Sequence, residues 1–99
     1  MDRVIFASPL TLGFIADCCS AKVAKQFRDF KVKSLNSIPQ AESSDLCVVE
    51  NEKDMEKVLL SKALACIVPS RLKMKLPSDI IPLVTDDFRN VDYIKGFLV

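Results

Sequence analysis

The sequence has no histidine and no tryptophan, and it has only two glycines, Gly13 and Gly96. Without histidine, no side chain ordinarily titrates near neutral pH, so general base catalysis has no obvious agent. The two glycines are too far apart to form a glycine-rich loop around a phosphate group. These absences argue against a self-contained enzyme of the histidine-dependent or phosphate-loop classes.

The sequence also has no large excess of positive or negative charge, because 14 lysine and arginine residues are balanced by 13 aspartate and glutamate residues. The basic residues are scattered, which gives no electrostatic argument for nucleic acid or an anionic membrane surface as a partner. No apolar run is long enough for a membrane helix, and the run after Met1-Asp2-Arg3 is broken too soon to be a signal peptide. We therefore expect a soluble cytoplasmic protein with no nucleic-acid partner and no membrane insertion.

The four cysteines show no CxxC spacing, the usual mark of zinc and thioredoxin-like sites. Cys47 and Cys66 lie within apolar runs, where a free cysteine behaves as a small hydrophobic residue. Cys18 and Cys19 have no histidine to activate them as nucleophiles. The sequence predicts reduced thiols, no metal site and no cofactor.

Strand-like and helix-like segments alternate along the 99 residues, which predicts a single α/β domain covering residues 1–99. We expect three layers, with a small, mostly parallel sheet between flanking helices. The predicted elements before the centre are an edge strand at 4–6 ended by Ser8-Pro9, a helix from Thr11 towards Ala24, a strand at 27–33, and a loop with a helical turn at 34–44. The predicted elements after the centre are a loop with a turn at 70–78, a strand at 80–84 that Pro82 places at an edge or in a bulge, and a final helix with Phe88, Val91, Ile94 and Phe97 or Leu98 on its apolar face.

The centre of the chain predicts a strand, a helix and a second strand. Residues 46–49 form an unbroken apolar run, which is typical of a strand covered on both faces. Asn51 follows at the position of a helix N-cap, with acidic residues in the first turn. The helix is expected to bury Met55, Val58 and Leu59, and residues 65–68 form the second strand, ended by Pro69. Ligands of parallel sheets bind beyond the carboxyl ends of strands, so residues 49–54 are the first candidate site.

Residues 46–53 (LCVVENEK) and 62–69 (KALACIVP) resemble the N-terminal domain of UDP-3-O-acylglucosamine N-acyltransferase, an enzyme of bacterial lipid A biosynthesis. The resemblance continues at 9–16 (PLTLGFIA), in the stretch that leads to residue 46, and at 81–88. One departure is Phe14, where the family usually has a glutamate. The resemblance implies an α/β domain that binds the uridine end of a UDP-sugar substrate.

The resemblance assigns substrate binding to the pattern Val48-x-x-Asn51-x-x-Asp54. In the family, aromatic side chains at the first and last positions clasp the uracil ring, and an asparagine lies between them. Only Asn51 is retained here, because Val48 and Asp54 have no aromatic ring and Asp54 adds negative charge near a diphosphate. The alternative is purely structural, with Asn51 as an N-cap and Val48 as a core residue.

Three functions remain open. The first is the substrate-binding domain of such an acyltransferase, without the catalytic β-helix of hexapeptide repeats that carries the family's histidine base. The ligand would be of the UDP-N-acetylglucosamine type, the acyl carrier protein would bind only the missing C-terminal part, and this domain would be a monomer because the family's trimer is built by the β-helix.

The second is a stand-alone interaction module or remnant of the same fold that no longer binds nucleotide. An open reading frame that continues beyond Val99 into hexapeptide repeats would exclude it. The third is the uridine-binding domain of the peptidoglycan amino-acid ligases, which would be followed by a glycine-rich ATP loop.

Overall fold

The computed structural model describes residues 3–91 and residue 94, and it contains a five-stranded sheet whose strands are ordered as in the sequence. The first two strands are antiparallel and all other neighbours are parallel, so the prediction of a mostly parallel α/β sheet is confirmed. The strands are β1 Val4–Thr11, β2 Lys31–Leu35, β3 Asp45–Val48, β4 Ala65–Val68 and β5 Ile81–Val84. The helices are α1 Leu12–Cys19 and α2 Glu52–Val58, with 3₁₀ turns at Lys25–Phe27, Ile38–Gln40 and Ser70–Lys75.

Each face of the sheet is covered by its own buried cluster. Leu46 and Ile67 point into the cluster that contains α1, whereas their neighbours Cys47 and Cys66 point into the cluster that contains α2. This alternation explains why β3 and β4 are almost continuously apolar, because neither strand has a face in contact with water. The predicted helices on both sides of the sheet are therefore present.

The predicted β3–α2–β4 unit is present, with β3 parallel to β4. Asn51 caps α2, since its side-chain oxygen accepts a hydrogen bond from the Lys53 backbone N–H at 3.0 Å. Met55 and Val58 are buried as expected. The prediction that Leu59 is buried is wrong, because α2 ends at Val58 and Leu59 is 66% exposed.

The prediction that Cys47 and Cys66 are free thiols is also wrong. They are register partners on β3 and β4, their Cα atoms are 4.7 Å apart, and their sulfur atoms form a disulfide. Cys18 and Cys19 are free, as expected.

Strand β1 does not end at Ser8-Pro9, as predicted, but continues to Thr11. Its pairing with β2 shifts between Ile5 and Leu10, which leaves Pro9 within a bulge. Proline has no N–H to donate, and a bulge on an edge strand is one of the few places in a sheet that tolerates this loss.

Helix α1 begins at the predicted cap, where the Thr11 hydroxyl accepts from the Phe14 backbone N–H at 3.1 Å. It ends at Cys19 rather than near Ala24, because Ser20 adopts the left-handed conformation with φ 55°. The Ser20 N–H and the Ala21 N–H both donate back to the Ala16 carbonyl, the latter at 2.8 Å, which satisfies that carbonyl at the end of the helix.

The strand predicted at 27–33 is displaced towards the C-terminus. The Phe30 N–H donates to the Phe27 carbonyl at 3.1 Å in a turn, and their rings meet edge to face with centroids 5.5 Å apart. Strand β2 therefore starts at Lys31, and it extends through Ser34, which the sequence placed in a loop. The predicted helical turn within 34–44 is present as Ile38–Gln40.

Strand β5 forms one edge of the sheet, and its outward-facing backbone offers no free N–H near its end for a further strand. Pro82 lies on the edge strand β5, as predicted, and supplies no N–H. Lys22 and Val84 exchange both of their backbone hydrogen bonds at 2.8 Å, which occupies the remaining outward N–H near the end of β5. Of the predicted final helix, residues 89–91 form a 3₁₀ turn, and Val91 and Ile94 are buried. Phe97 and Leu98 lie outside the described residues.

Replacement of Ser20 by glycine is expected to stabilise the fold. A non-glycine residue in the left-handed region costs about 1 kcal/mol, and glycine avoids this cost. Thermal unfolding should show Ser20→Gly raising the melting temperature by about 4–8 °C. Ser20→Ala is the matched control, because it keeps the strained backbone, and an equal rise in both variants would contradict this account.

Candidate functional site

A cleft of about 360 Å³ lies at the carboxyl end of β3. One wall is the loop after β2, residues 36–39, and the other is α2, which contributes Asp54 and Lys57. Val48, the last residue of β3, lies between the two walls. The cleft thus occupies the position where parallel sheets usually bind their ligands.

Two of the three predicted site residues meet in this cleft. Val48 and Asp54 both line it, although Asn51 does not. Asn51 is exposed, and its side-chain oxygen accepts a hydrogen bond from the Lys53 N–H. Its role in the structure is therefore to cap α2. Asn36 and Lys57 also line the cleft and were not identified from the sequence.

The helical wall carries one charge of each sign. Asp54 Oδ2 accepts from the Glu50 backbone N–H at 3.1 Å, which fixes the turn between β3 and α2. Lys57 lies one helical turn further on, is exposed, and makes no ion pair with the described residues. The cleft therefore offers a carboxylate acceptor and an ammonium donor close to each other.

The loop wall is held by the buried carboxylate of Asp45. The Asn36 amide donates to Asp45 Oδ2 at 3.2 Å, and the Glu42 backbone N–H donates to the same oxygen at 3.0 Å. One oxygen thus holds Asn36, at the start of this wall, and Glu42, which follows the wall in the chain. Asn36 also donates to the Gln40 carbonyl at 3.3 Å, which braces the loop internally.

The second oxygen of Asp45 connects β3 to β2 and to Arg3, the residue before β1. The Ser34 hydroxyl donates to Oδ1, and the Arg3 guanidinium donates to Oδ1 at 3.2 Å and to the Ser34 hydroxyl at 2.9 Å. Burial by itself would raise the pKa of Asp45. The hydrogen bonds from Ser34, Glu42 and Asn36 and the charge of Arg3 outweigh burial, and the pKa of Asp45 lies below its usual value.

The other carboxylates at this end of the sheet are engaged in local contacts. Asp86 accepts from the Ser70 N–H and hydroxyl, and these bonds lower its pKa. Asp87 binds the Arg89 guanidinium at 2.7 Å, and the hydrogen bonds from Arg89 lower its pKa to about 2. Both side chains are therefore ionised at neutral pH and are poor proton donors.

The free cysteines are weakly reactive. Burial raises the pKa of Cys19 to about 11, and burial together with the charge of Asp17 raises the pKa of Cys18. Both thiols therefore stay protonated near neutral pH, whereas the reactive form of cysteine is the deprotonated thiolate. Within residues 3–91 and residue 94, no group of histidine, cysteine or acidic side chains is arranged to hold a metal ion.

No helix in the described part of the chain is long and apolar enough to cross a membrane. The chain matches no protein-family model and no curated protein. The resemblance to the acyltransferase domain therefore stays a prediction.

Asp45→Asn is expected to lower the free energy of unfolding by about 2–4 kcal/mol, because the amide cannot accept from all four donors. Urea unfolding at pH 7 measures the change. Asp79→Asn is the matched control, since Asp79 is exposed, and its effect should stay within about 0.5 kcal/mol. Equal effects of the two substitutions would show that the network contributes little.

The contribution of Asp45 should also depend on pH. Its pKa is lower in the folded chain than the value of about 3.9 expected after unfolding, so its stabilisation is complete above that value. The stabilisation is lost as the pH falls through the folded-state pKa. Urea unfolding from pH 7 to pH 2 should show a stability difference between wild type and Asp45→Asn that is constant at first and shrinks below about pH 4. A difference that persists unchanged at pH 2 would contradict the assignment.

Proposed function

We propose that the chain is a substrate-binding domain of the UDP-3-O-acylglucosamine N-acyltransferase type, acting in lipid A biosynthesis. The cleft at the end of β3 is proposed to bind the uridine end of a UDP-N-acetylglucosamine-type ligand. The supporting observation is that Val48 and Asp54, two positions that the resemblance assigns to ligand contact, line one cleft.

The size and lining of the cleft are compatible with a small ring. Its volume of about 360 Å³ falls within the usual range for small-molecule sites, about 300–1,000 Å³. Ile38 and Pro39 on one wall and Val48 between the walls provide apolar surface for the faces of a pyrimidine. Aromatic stacking, worth about 1–3 kcal/mol per base, is not available from Val48 or Asp54, so we expect weak binding.

The two charged side chains of α2 that line the cleft would contact different parts of the ligand. Asp54 accepts with one oxygen from Glu50, and its carboxylate can accept from the N–H of a uracil ring. Lys57 can pair with a phosphate group of the ligand, which offsets the repulsion between Asp54 and the diphosphate.

The proposal includes a cytoplasmic location, a monomeric domain, and acyl carrier protein contact only through a further C-terminal part.

A second candidate is an interaction module of the same fold. Leu59 and Leu60 follow α2 and are 66% and 85% exposed. Adjacent large apolar side chains at the surface are typical of a protein-binding site rather than a nucleotide pocket. This function predicts that ligand binding at the cleft is absent and that the leucine pair contacts a partner.

Titration with UDP-N-acetylglucosamine, followed by amide NMR shifts up to millimolar ligand, tests the first function. We expect shifts at residues 36–39 and 48–57, which surround the cleft. Lys57→Gln should weaken binding about two- to fivefold by removing a surface ion pair.

Lys53→Gln is the matched control, because Lys53 is an exposed lysine of the same helix that does not line the cleft. Its binding should equal that of the wild type once general charge effects are screened by salt. Shifts that are absent, or that occur only around Leu59 and Leu60, would remove the nucleotide-binding function.

A further inference from the structure

Cys47 and Cys66 occupy matching positions on the two central strands. They are register partners in the parallel pairing of β3 with β4, and both side chains are fully buried. Their Cα separation of 4.7 Å lies within the range of about 4.4–6.8 Å found for disulfides. The backbone pairing itself therefore brings the two sulfurs together.

The covalent ring closed by this disulfide contains one wall of the cleft. All of α2 lies between the two cysteines, as do Val48, Asp54 and Lys57. The opposite wall, residues 36–39, lies outside the ring. When the disulfide is closed, both ends of the segment that carries the helical wall are tied to each other.

The two sulfurs share their buried cluster with helix α2. They belong to the cluster on the α2 side of the sheet, to which α2 contributes Met55 and Val58 beside residues of the neighbouring loops and of β4. A helix of seven residues with two buried side chains can open locally at low cost in free energy. Opening of α2 would withdraw Met55 and Val58 from the cluster that contains the sulfurs, and it would also separate the walls of the cleft.

We propose that Cys47 and Cys66 form a reversible thiol–disulfide switch that holds α2 and the cleft wall when oxidised and loosens them when reduced. In the cytoplasm thiols are kept reduced, and the disulfides that do form there are usually transient or redox-sensing. This inference goes beyond the proposed function, because it concerns the mobility of the cleft wall whatever the ligand is.

The oxidant is a low-molecular-weight disulfide, which accepts two electrons. One cysteine thiolate attacks a sulfur of this disulfide, forming a mixed disulfide and releasing one small thiolate. The second cysteine thiolate attacks the protein sulfur of the mixed disulfide, which closes the Cys47–Cys66 bond and releases the second small thiolate. The two released thiolates take up, through solvent, the two protons that the cysteines lost, and reduction follows the same steps in reverse.

The test equilibrates the folded chain in buffers of glutathione and glutathione disulfide at a series of ratios. Alkylation and mass spectrometry should show one two-electron transition between four and two free thiols, with peptide mapping identifying Cys47 and Cys66 as the pair. Hydrogen exchange of the amides at 48–58 should be at least about tenfold faster in the reduced state.

Two variants separate the switch from a general effect of thiols. Cys18→Ser should keep the transition, because Cys18 is free and packs on the opposite face of the sheet. Cys47→Ala should abolish the thiol–disulfide transition and make hydrogen exchange equal in oxidising and reducing buffer. If this variant does not fold, the comparison of the oxidised and reduced wild type still decides the question.

The proposal is overturned if the folded chain keeps four thiols at every ratio. It is also overturned if the bond resists buffers that reduce it in urea, or if exchange in α2 is the same in both states. Failure of nucleotide binding would leave this result unchanged, so the two proposals fail separately.

Discussion

Strands β3 and β4 are covered on both faces, and the rest of the molecule is arranged around that constraint. Their side chains alternate between two buried clusters, so every position except Asp45 is apolar. Polar groups are thereby confined to the ends of these strands and to the segments that follow them. The cleft lies at such an end, where the loop after β2 and helix α2 form opposite walls beyond β3.

Asp45 is the only fully buried ionisable side chain among the described residues outside the cysteines, and its position explains how the loop wall keeps its shape. A buried charge is costly unless hydrogen bonds replace its lost hydration. Here the replacement donors are Arg3, Ser34 on β2, and Asn36 and Glu42 in the loop after β2. The same bonds that make the buried charge tolerable therefore also define one side of the candidate site.

The sequence predicted the features whose signals are local. The β3–α2–β4 unit follows from two unbroken apolar runs, and the Asn51 cap lies next to the helix that it caps. The end of α1 could not be predicted, because Ser20 takes a conformation usually reserved for glycine. The Cys47–Cys66 bond depends on the register between two strands, which no local pattern reports. Within the cleft, the family resemblance pointed to two lining residues, whereas Lys57 looked like any solvated lysine on the outer face of a helix.

Every strand of the sheet after β1 pairs with the strand that precedes it in the chain. No strand has to insert between two that are already paired, and only β1 has to wait for its first partner. Pairings that are near in sequence favour rapid folding, and domains commonly begin to fold while synthesis continues. The sheet can therefore grow in the direction of translation, with each newly made strand meeting an edge that is already in place.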